Sequence, residues 1–122
     1  MQTSTGPVSQ VPAKKDGQYY KNVQLCKKDI GLALKELKVK HIDEAVQKLR
    51  QAVTLLEPYV STRLMMAQNG GVRRDSARFA GDVAACQKSC ETAIGELDYS
   101  MIDNAYSQLI TALAYIAPFG SA

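Results

Sequence analysis

The sequence predicts an all-α fold, an up-down-up-down four-helix bundle made of two duplicated helical hairpins. Shifting the chain against itself by 60 residues aligns its second half with its first without a gap, which indicates an internal duplication. Apolar residues also recur at spacings of three and four in four successive segments, the pattern of one helical face. The composition is 46% hydrophobic with two Phe and no Trp, which suits close helix packing more than an aromatic-rich sheet.

The aligned positions are mostly apolar or lie where an element ends, so they describe the architecture and not a chemistry. We expect repeat 1 to span about 17–61 and repeat 2 about 77–121, and residues 17–122 to form one bundle. The matched pairs are Ala33/Ala93, Glu36/Glu96, Leu37/Leu97, Ile42/Ile102, Asp43/Asp103, Ala45/Ala105, Leu49/Leu109, Ala52/Ala112, Pro58/Pro118 and Ser61/Ser121, with Val23/Val83, Cys26/Cys86 and Lys28/Lys88 upstream.

Residues 1–16 show no hydrophobic periodicity and are predicted to be a flexible tail. A first helix is expected over 17–38 and a second from Ile42, with a break at 39–41. Pro58 disturbs the second helix because it disfavours helical geometry in the preceding residue. The chain beyond it either extends that helix past a kink, which we favour, or forms a separate turn before Asn69-Gly70-Gly71.

In the second half, Asp75 or Ser76 is expected to cap a third helix, and Ser100 with Asp103 approximates a capping box for a fourth. The two- or three-residue breaks between helices make each hairpin antiparallel. Neither hairpin buries its apolar stripe alone. We therefore expect the two copies to face each other about a pseudo-twofold axis.

Residues that carry chemistry are few. His41 is the only histidine and lies in the predicted break after the first helix, at the far end of that helix from Cys26. A zinc site built from His41 with Cys26, Cys86 and Cys90 is therefore not expected. The three cysteines are interpreted as buried, structural thiols. No P-loop, nucleophile elbow or dinucleotide glycine pattern occurs, and we predict no catalytic residues, no cofactor and no metal site.

Paired carboxylates occur at equivalent positions of the two repeats. Glu36 and Glu96 are interpreted as parts of solvated helix faces, because the Glu-x-x-His motifs of di-iron bundles are missing. Asp43 and Asp103 fall in the first turns of their helices, where a negative charge complements the helix dipole.

Basic residues supply the candidate binding site. We expect the start of the first helix, the central connection and the start of the third helix to meet at one end of the bundle and to form a positive pole beside Tyr19, Tyr20, Tyr59 and Phe119. Such a pole predicts docking on an acidic surface of a larger protein complex, with anionic lipid or nucleic acid as the alternative partner. A third interpretation is that these charges form a solvated surface with no binding role. The predicted partner-binding residues are Lys14, Lys15, Lys21, Arg63, Arg73, Arg74 and Arg78.

No segment approaches the roughly 20 apolar residues that span a bilayer, so we expect a soluble chain without a transmembrane segment. The Pro-containing tail through Pro12, the bundle length and the closing helix QLITALAYIAPF resemble the PsbQ-like group, the small extrinsic lumenal proteins of photosystem II. The resemblance implies a non-catalytic, stabilising subunit in the thylakoid lumen that binds a membrane-embedded complex from its aqueous side.

Overall fold

The computed structural model describes residues 6–122, and four α-helices account for most of this part of the chain. They are α1 (Gly17–Lys38), α2 (Ile42–Leu56), α3 (Phe79–Asp98) and α4 (Ile102–Ile116). Two short strands, β1 (Val8–Ser9) and β2 (Thr62–Arg63), pair antiparallel. Short 3₁₀ turns at Glu57–Tyr59 and Ala117–Phe119 follow α2 and α4. The helices form the two packed hairpins that the repeat predicts, α1 with α2 and α3 with α4.

The apolar stripes face one shared core. Leu49 of α2 and Leu109 of α4 are completely buried, as are Cys26 and Cys86 at equivalent positions of α1 and α3. Burying these side chains supplies the main stabilising free energy of the bundle. None of the helices in the described residues is long and apolar enough to cross a membrane.

The two helix starts that begin the hairpins differ. Asp16 caps α1, because its carboxylate accepts hydrogen bonds from the backbone N–H groups of Gln18 and Tyr19 at 3.0 and 3.4 Å. The predicted cap of α3 at Asp75 or Ser76 is wrong. Residues 73–78 form turns, and α3 begins only at Phe79, without a side-chain cap.

Both hairpins turn through the same backbone geometry. Lys40 and its repeat equivalent Ser100 have positive φ angles of 62° and 57°. Around Lys40, the His41 N–H donates to Glu36 O and the Lys40 N–H donates to Leu37 O, which is a Schellman motif, and the second repeat makes the same two bonds. The predicted capping box at Ser100 is therefore wrong, because Ser100 closes the end of α3 instead of opening α4.

Two aspartates join the hairpins head to tail. Near the start of α2, the Asp43 carboxylate accepts bonds from the backbone N–H and the hydroxyl of Ser121, both at 2.7 Å. Near the start of α4, the Asp103 carboxylate accepts the equivalent bonds from Ser61 at 2.8 and 2.9 Å. The start of each of these helices thus lies beside the end of the other, so α2 and α4 are antiparallel.

The helices therefore run up-down-down-up, and the predicted alternating order is wrong. Within each hairpin the helices are antiparallel, as shown by the Asn22 side chain near the start of α1, which donates to Leu55 O near the end of α2. Apolar periodicity specifies which face of each hairpin is buried but not which way the second hairpin points across the first. The pseudo-twofold axis is consequently perpendicular to the helices.

The connection between α2 and α3 must then run from one end of the bundle to the other. The favoured extension of the second helix is wrong, because α2 ends at Leu56 and the chain leaves the 3₁₀ turn in an extended conformation. The Tyr106 hydroxyl holds this connection by accepting from Leu64 N at 2.9 Å and donating to Leu64 O at 3.2 Å. Arg50 of α2 donates to Ala67 O at 2.7 Å and to Asn69 Oδ1 at 2.9 Å.

The connection reaches the far end of the bundle at a close backbone approach. Gly70 and Val72 donate to the carbonyls of Ala117 and Pro118. A Cβ at Gly70 would lie 3.0 Å from Pro118 O and 3.1 Å from Pro118 Cα, so the close approach favours glycine.

The segment before α1 occupies the corresponding place in the first repeat. Gln10 and Ala13 donate backbone bonds to Ser61 O and Pro58 O, and the Gln10 side chain donates to two further carbonyls of that turn. The described part of the predicted tail is therefore hydrogen bonded to residues 57–63, while residues 1–5 lie outside the described residues. Each repeat thus comprises an extended arm and a hairpin, which the apolar pattern does not reveal.

The Asp–Ser bonds give a first testable prediction. Replacing Asp43 by Asn should lower the free energy of unfolding by about 1–2 kcal/mol at neutral pH, because a charged acceptor is lost. The bonds from Ser121, aided by Arg74, hold the pKa of Asp43 below its usual range. The carboxylate therefore contributes fully above its unfolded pKa and loses its contribution as the pH falls through the lowered folded value. Denaturant melts should show the difference between wild type and variant shrinking below about pH 4.

A matched control is Asp75→Asn, which removes an exposed aspartate that bonds only to the neighbouring Arg73. This change should cost less than about 0.5 kcal/mol. Equal effects of the two substitutions, or a difference for Asp43 that does not vary with pH, would contradict the role assigned to the bonds between repeats.

Candidate docking site

The structure divides the predicted basic residues between the two ends of the bundle. One end holds the start of α1, the end of α2 and the α3–α4 turn, since Lys15, Tyr59 and Met101 line one pocket there. The opposite end holds the start of α3, the end of α4 and the α1–α2 turn, where Arg74 contacts Asp43. We call these the lysine end and the arginine end. Lys14, Lys15, Lys21 and Arg63 belong to the lysine end, and Arg73, Arg74 and Arg78 belong to the arginine end.

The seven residues therefore do not form one pole. A single pole requires the starts of α1 and α3 to lie together, as they would in an alternating bundle. The head-to-tail arrangement of the hairpins separates them by the length of a helix, about 30 Å for the 22 residues of α1.

At the arginine end, each of the three predicted arginines is paired with a carboxylate. Their shortest nitrogen–oxygen distances are 2.8, 3.1 and 3.5 Å, to Asp75, Asp43 and Asp82 respectively. The Arg74 pair also belongs to the Asp–Ser junction between repeats. Each of these arginines already faces a carboxylate within the chain, but the side chains of Arg73 and Arg78 are mostly exposed and such surface pairs are weak.

At the lysine end, Lys14, Lys15 and Lys21 have no carboxylate oxygen within 4.0 Å among residues 6–122. Lys15 instead places its Nζ 5.4 Å from the centre of the Tyr19 ring. That distance allows a cation–π contact, which holds the ammonium group at the surface without neutralising it.

Buried aromatic rings support this position of Lys15. The Tyr19 ring packs edge-on against Tyr20 and Tyr59, with centroids 5.0 and 5.1 Å away. Phe79 and Phe119 form the same edge-on pair at the arginine end, at positions 60 residues later. Of the four aromatic residues predicted to flank the pole, only Tyr20 is exposed, and Phe119 lies at the other end.

Exposed apolar side chains concentrate at the lysine end, which sequence reasoning missed. Tyr99 in the α3–α4 turn is 82% exposed, and Val11 in the arm is 92% exposed. Met101 and Tyr20 are exposed at the same end. The sequence does place Tyr99 in a predicted hairpin turn and outside the apolar stripe, which indicates an exposed side chain. It does not show that this turn lies near the arm before α1, because the two segments are distant in the chain.

A concave surface of about 340 Å³ lies between the arm and the α3–α4 turn. Lys15 and Met101 lie on its wall with Tyr59 and Asp103. Ser61 is uncharged, so its hydrogen bonds leave the charge of Asp103 in place, and the pocket holds one positive and one negative side chain, Lys15 and Asp103.

Arg63 lies at the same end but is less available. Its Nη2 lies 3.1 Å from Glu57 Oε2, and its backbone pairs with Val8 through the two-stranded sheet. Arg63 therefore contributes less unpaired positive charge to this end than the three lysines do.

The thiols lie apart from this surface. Cys26, Cys86 and Cys90 are all completely buried and unpaired as disulfides, in agreement with the prediction of buried thiols. Burial, with Asp29 nearby, raises the pKa of Cys26 to about 12. The adjacent Cys90 thiol and burial raise the pKa of Cys86. The thiolate is the reactive form of cysteine, and the raised pKa values disfavour it at Cys26 and Cys86. We therefore interpret the buried cysteines as core residues of this fold.

Comparison of the chain with protein-family models, with curated proteins and with solved structures found no match.

Proposed function

We propose that the protein is a non-catalytic docking subunit of a larger protein complex, and that it binds this complex through the lysine end. The observation that carries the proposal is the presence of unpaired Lys14, Lys15 and Lys21 at the same end of the bundle as exposed Tyr99 and Met101, with Lys15 and Met101 lining one pocket. Aromatic residues and Met are enriched in protein interfaces, and complementary charge steers association and selects the partner.

The chemistry of the lysine end defines the partner as an acidic surface with an apolar patch. The arm and the α3–α4 turn at this end are held in place by backbone hydrogen bonds. The arm is bonded to residues 57–63, and the turn that carries Tyr99 closes with two backbone bonds. A preformed surface binds with a smaller loss of conformational entropy than a flexible tail would. The PsbQ-like resemblance makes photosystem II the candidate complex, with the chain as an extrinsic stabilising subunit in the thylakoid lumen.

Reversing charge at the lysine end should abolish binding. The variant Lys14→Glu/Lys15→Glu/Lys21→Glu should lose the partner complex in affinity capture from the native source, followed by mass spectrometry. The matched control is Lys35→Glu/Lys38→Glu/Lys40→Glu, which makes the same charge change in α1 and the α1–α2 turn at the arginine end. Both variants should keep the helical circular dichroism spectrum, since all six side chains lie at the surface.

Retention of the complex by the lysine-end variant would contradict the proposal, as would equal loss in the control. Titration of the wild type against vesicles containing anionic lipid and against single-stranded oligonucleotides tests the alternative function. Saturable binding to either at physiological salt, with no protein partner captured, would replace the docking role with a lipid-binding or nucleic-acid-binding role.

The apolar part of the site gives a separate prediction. Tyr99→Ala should weaken binding of the captured complex by about tenfold or more, because an exposed aromatic side chain at an interface centre contributes strongly to affinity. Val39→Ala is the matched control, since Val39 holds the equivalent exposed position at the arginine end. Surface plasmon resonance with the purified complex would compare the two. A weakening equal to that of the control would remove Tyr99 from the interface.

A further inference from the structure

Three side chains with metal-binding atoms meet at the α1–α2 turn, in the arginine end. They are Glu36 in the last turns of α1, His41 in the turn and Glu44 in the first turn of α2. One donor atom from each lies within 4.8 Å of the other two. The closest pair is His41 Nδ1 and Glu36 Oε2, at 3.0 Å.

The Schellman motif explains why these residues converge. The positive φ of Lys40 reverses the chain and brings His41 back over Glu36, whose carbonyl accepts the His41 N–H at 2.9 Å. Glu44 follows His41 by three residues and therefore lies on the same face of the first turn of α2. The cluster is thus fixed by the backbone of the turn and not only by flexible side chains.

The second repeat has the same turn without the same donors. Ser100 has the positive φ, and the Met101 N–H donates to Glu96 O at 2.9 Å. At the positions of His41 and Glu44 this repeat has Met101 and Asn104. The turn itself therefore does not require an imidazole and a second carboxylate, and the fold does not account for their presence in repeat 1.

The donor set is chemically suited to a transition-metal ion. An imidazole nitrogen and two carboxylate oxygens are ligands of Zn²⁺, at about 2.0–2.2 Å from the ion. Donors around one tetrahedral ion lie about 3.4 Å apart, so small rotations of these side chains would suffice. Such rotations are available, because His41 and Glu44 are exposed and Glu36 is half-buried.

Glu36 is in hydrogen-bond contact with His41, and a bound ion would replace this contact. Among residues 6–122, no Lys or Arg nitrogen lies within 4.0 Å of a carboxylate oxygen of Glu36 or Glu44. The neighbouring Asp43 is occupied by Ser121 and Arg74. Glu36 also lies at the carbonyl end of α1, where the helix dipole favours a cation.

We propose that Glu36, His41 and Glu44 form a binding site for one divalent transition-metal ion, with Zn²⁺ as the ion used to test it. The site revises the sequence prediction that the chain holds no metal, which considered His41 with the distant cysteines and Glu36 with Glu96. Its coordination would join the end of α1 to the start of α2.

Isothermal titration of the full chain with Zn²⁺, without an affinity tag, should show one ion bound per chain with an affinity in the micromolar range. His41→Ala and Glu44→Gln should each weaken binding by about tenfold or more, since each removes one of three ligands. Both changes are at exposed positions, and circular dichroism would verify that the bundle remains folded.

The second repeat supplies a gain-of-function control. The double variant Met101→His/Asn104→Glu places the same donors on the same turn and should bind a second Zn²⁺. Absence of zinc binding by the wild type would overturn the proposal. Equal binding by the wild type and His41→Ala would also overturn it, because the ion would then be held elsewhere, for example by the thiols. Failure of the double variant to bind a second ion would also contradict the claim that the turn geometry creates the site.

Discussion

Asp43 and Asp103 each accept two hydrogen bonds from a serine of the opposite repeat, and these bonds join the two hairpins head to tail. They place the start of α2 against the end of α4 and the start of α4 against the end of α2. Because the hairpins are thereby antiparallel, residues 60–78 must travel the length of the bundle before α3 begins. The arm before α1 and the end of the connection before α3 then occupy equivalent places, each hydrogen bonded to a proline-containing turn.

The same arrangement gives the two ends different surfaces on an almost symmetric scaffold. Each end has an edge-on aromatic pair, a left-handed turn residue and an Asp–Ser junction. The lysine end carries unpaired lysines and the exposed residues Tyr99 and Met101. At the arginine end the arginines are paired, and the turn carries Glu36, His41 and Glu44. Each repeat forms one helical hairpin, and the side chains outside the apolar stripes make the two ends of the bundle different.

The helices and their core were predictable because both follow from local periodicity: α1 has the predicted bounds, and Leu49 and Leu109 are buried. The relative direction of the hairpins was not predictable in this way, since either direction buries the same stripes. Asp103 resembles a local capping residue, yet its partner Ser61 is 42 residues away in sequence. The left-handed turns were also hidden, because Lys40 and Ser100 occupy positions where glycine is usual. The seven basic residues were therefore predicted to lie at one end of the bundle, whereas the structure divides them between the two ends.

The distance between the two hairpin turns tests this arrangement most directly. Spin labels on the double variant Val39→Cys/Tyr99→Cys would report it by double electron–electron resonance, since both positions are exposed and the three native cysteines are buried. Head-to-tail hairpins place the turns at opposite ends, and the distance should be about 30 Å, set by the helix length. A distance below about 20 Å would place both turns at the same end, as in an alternating bundle of helices packed 8–10 Å apart, and would contradict the account.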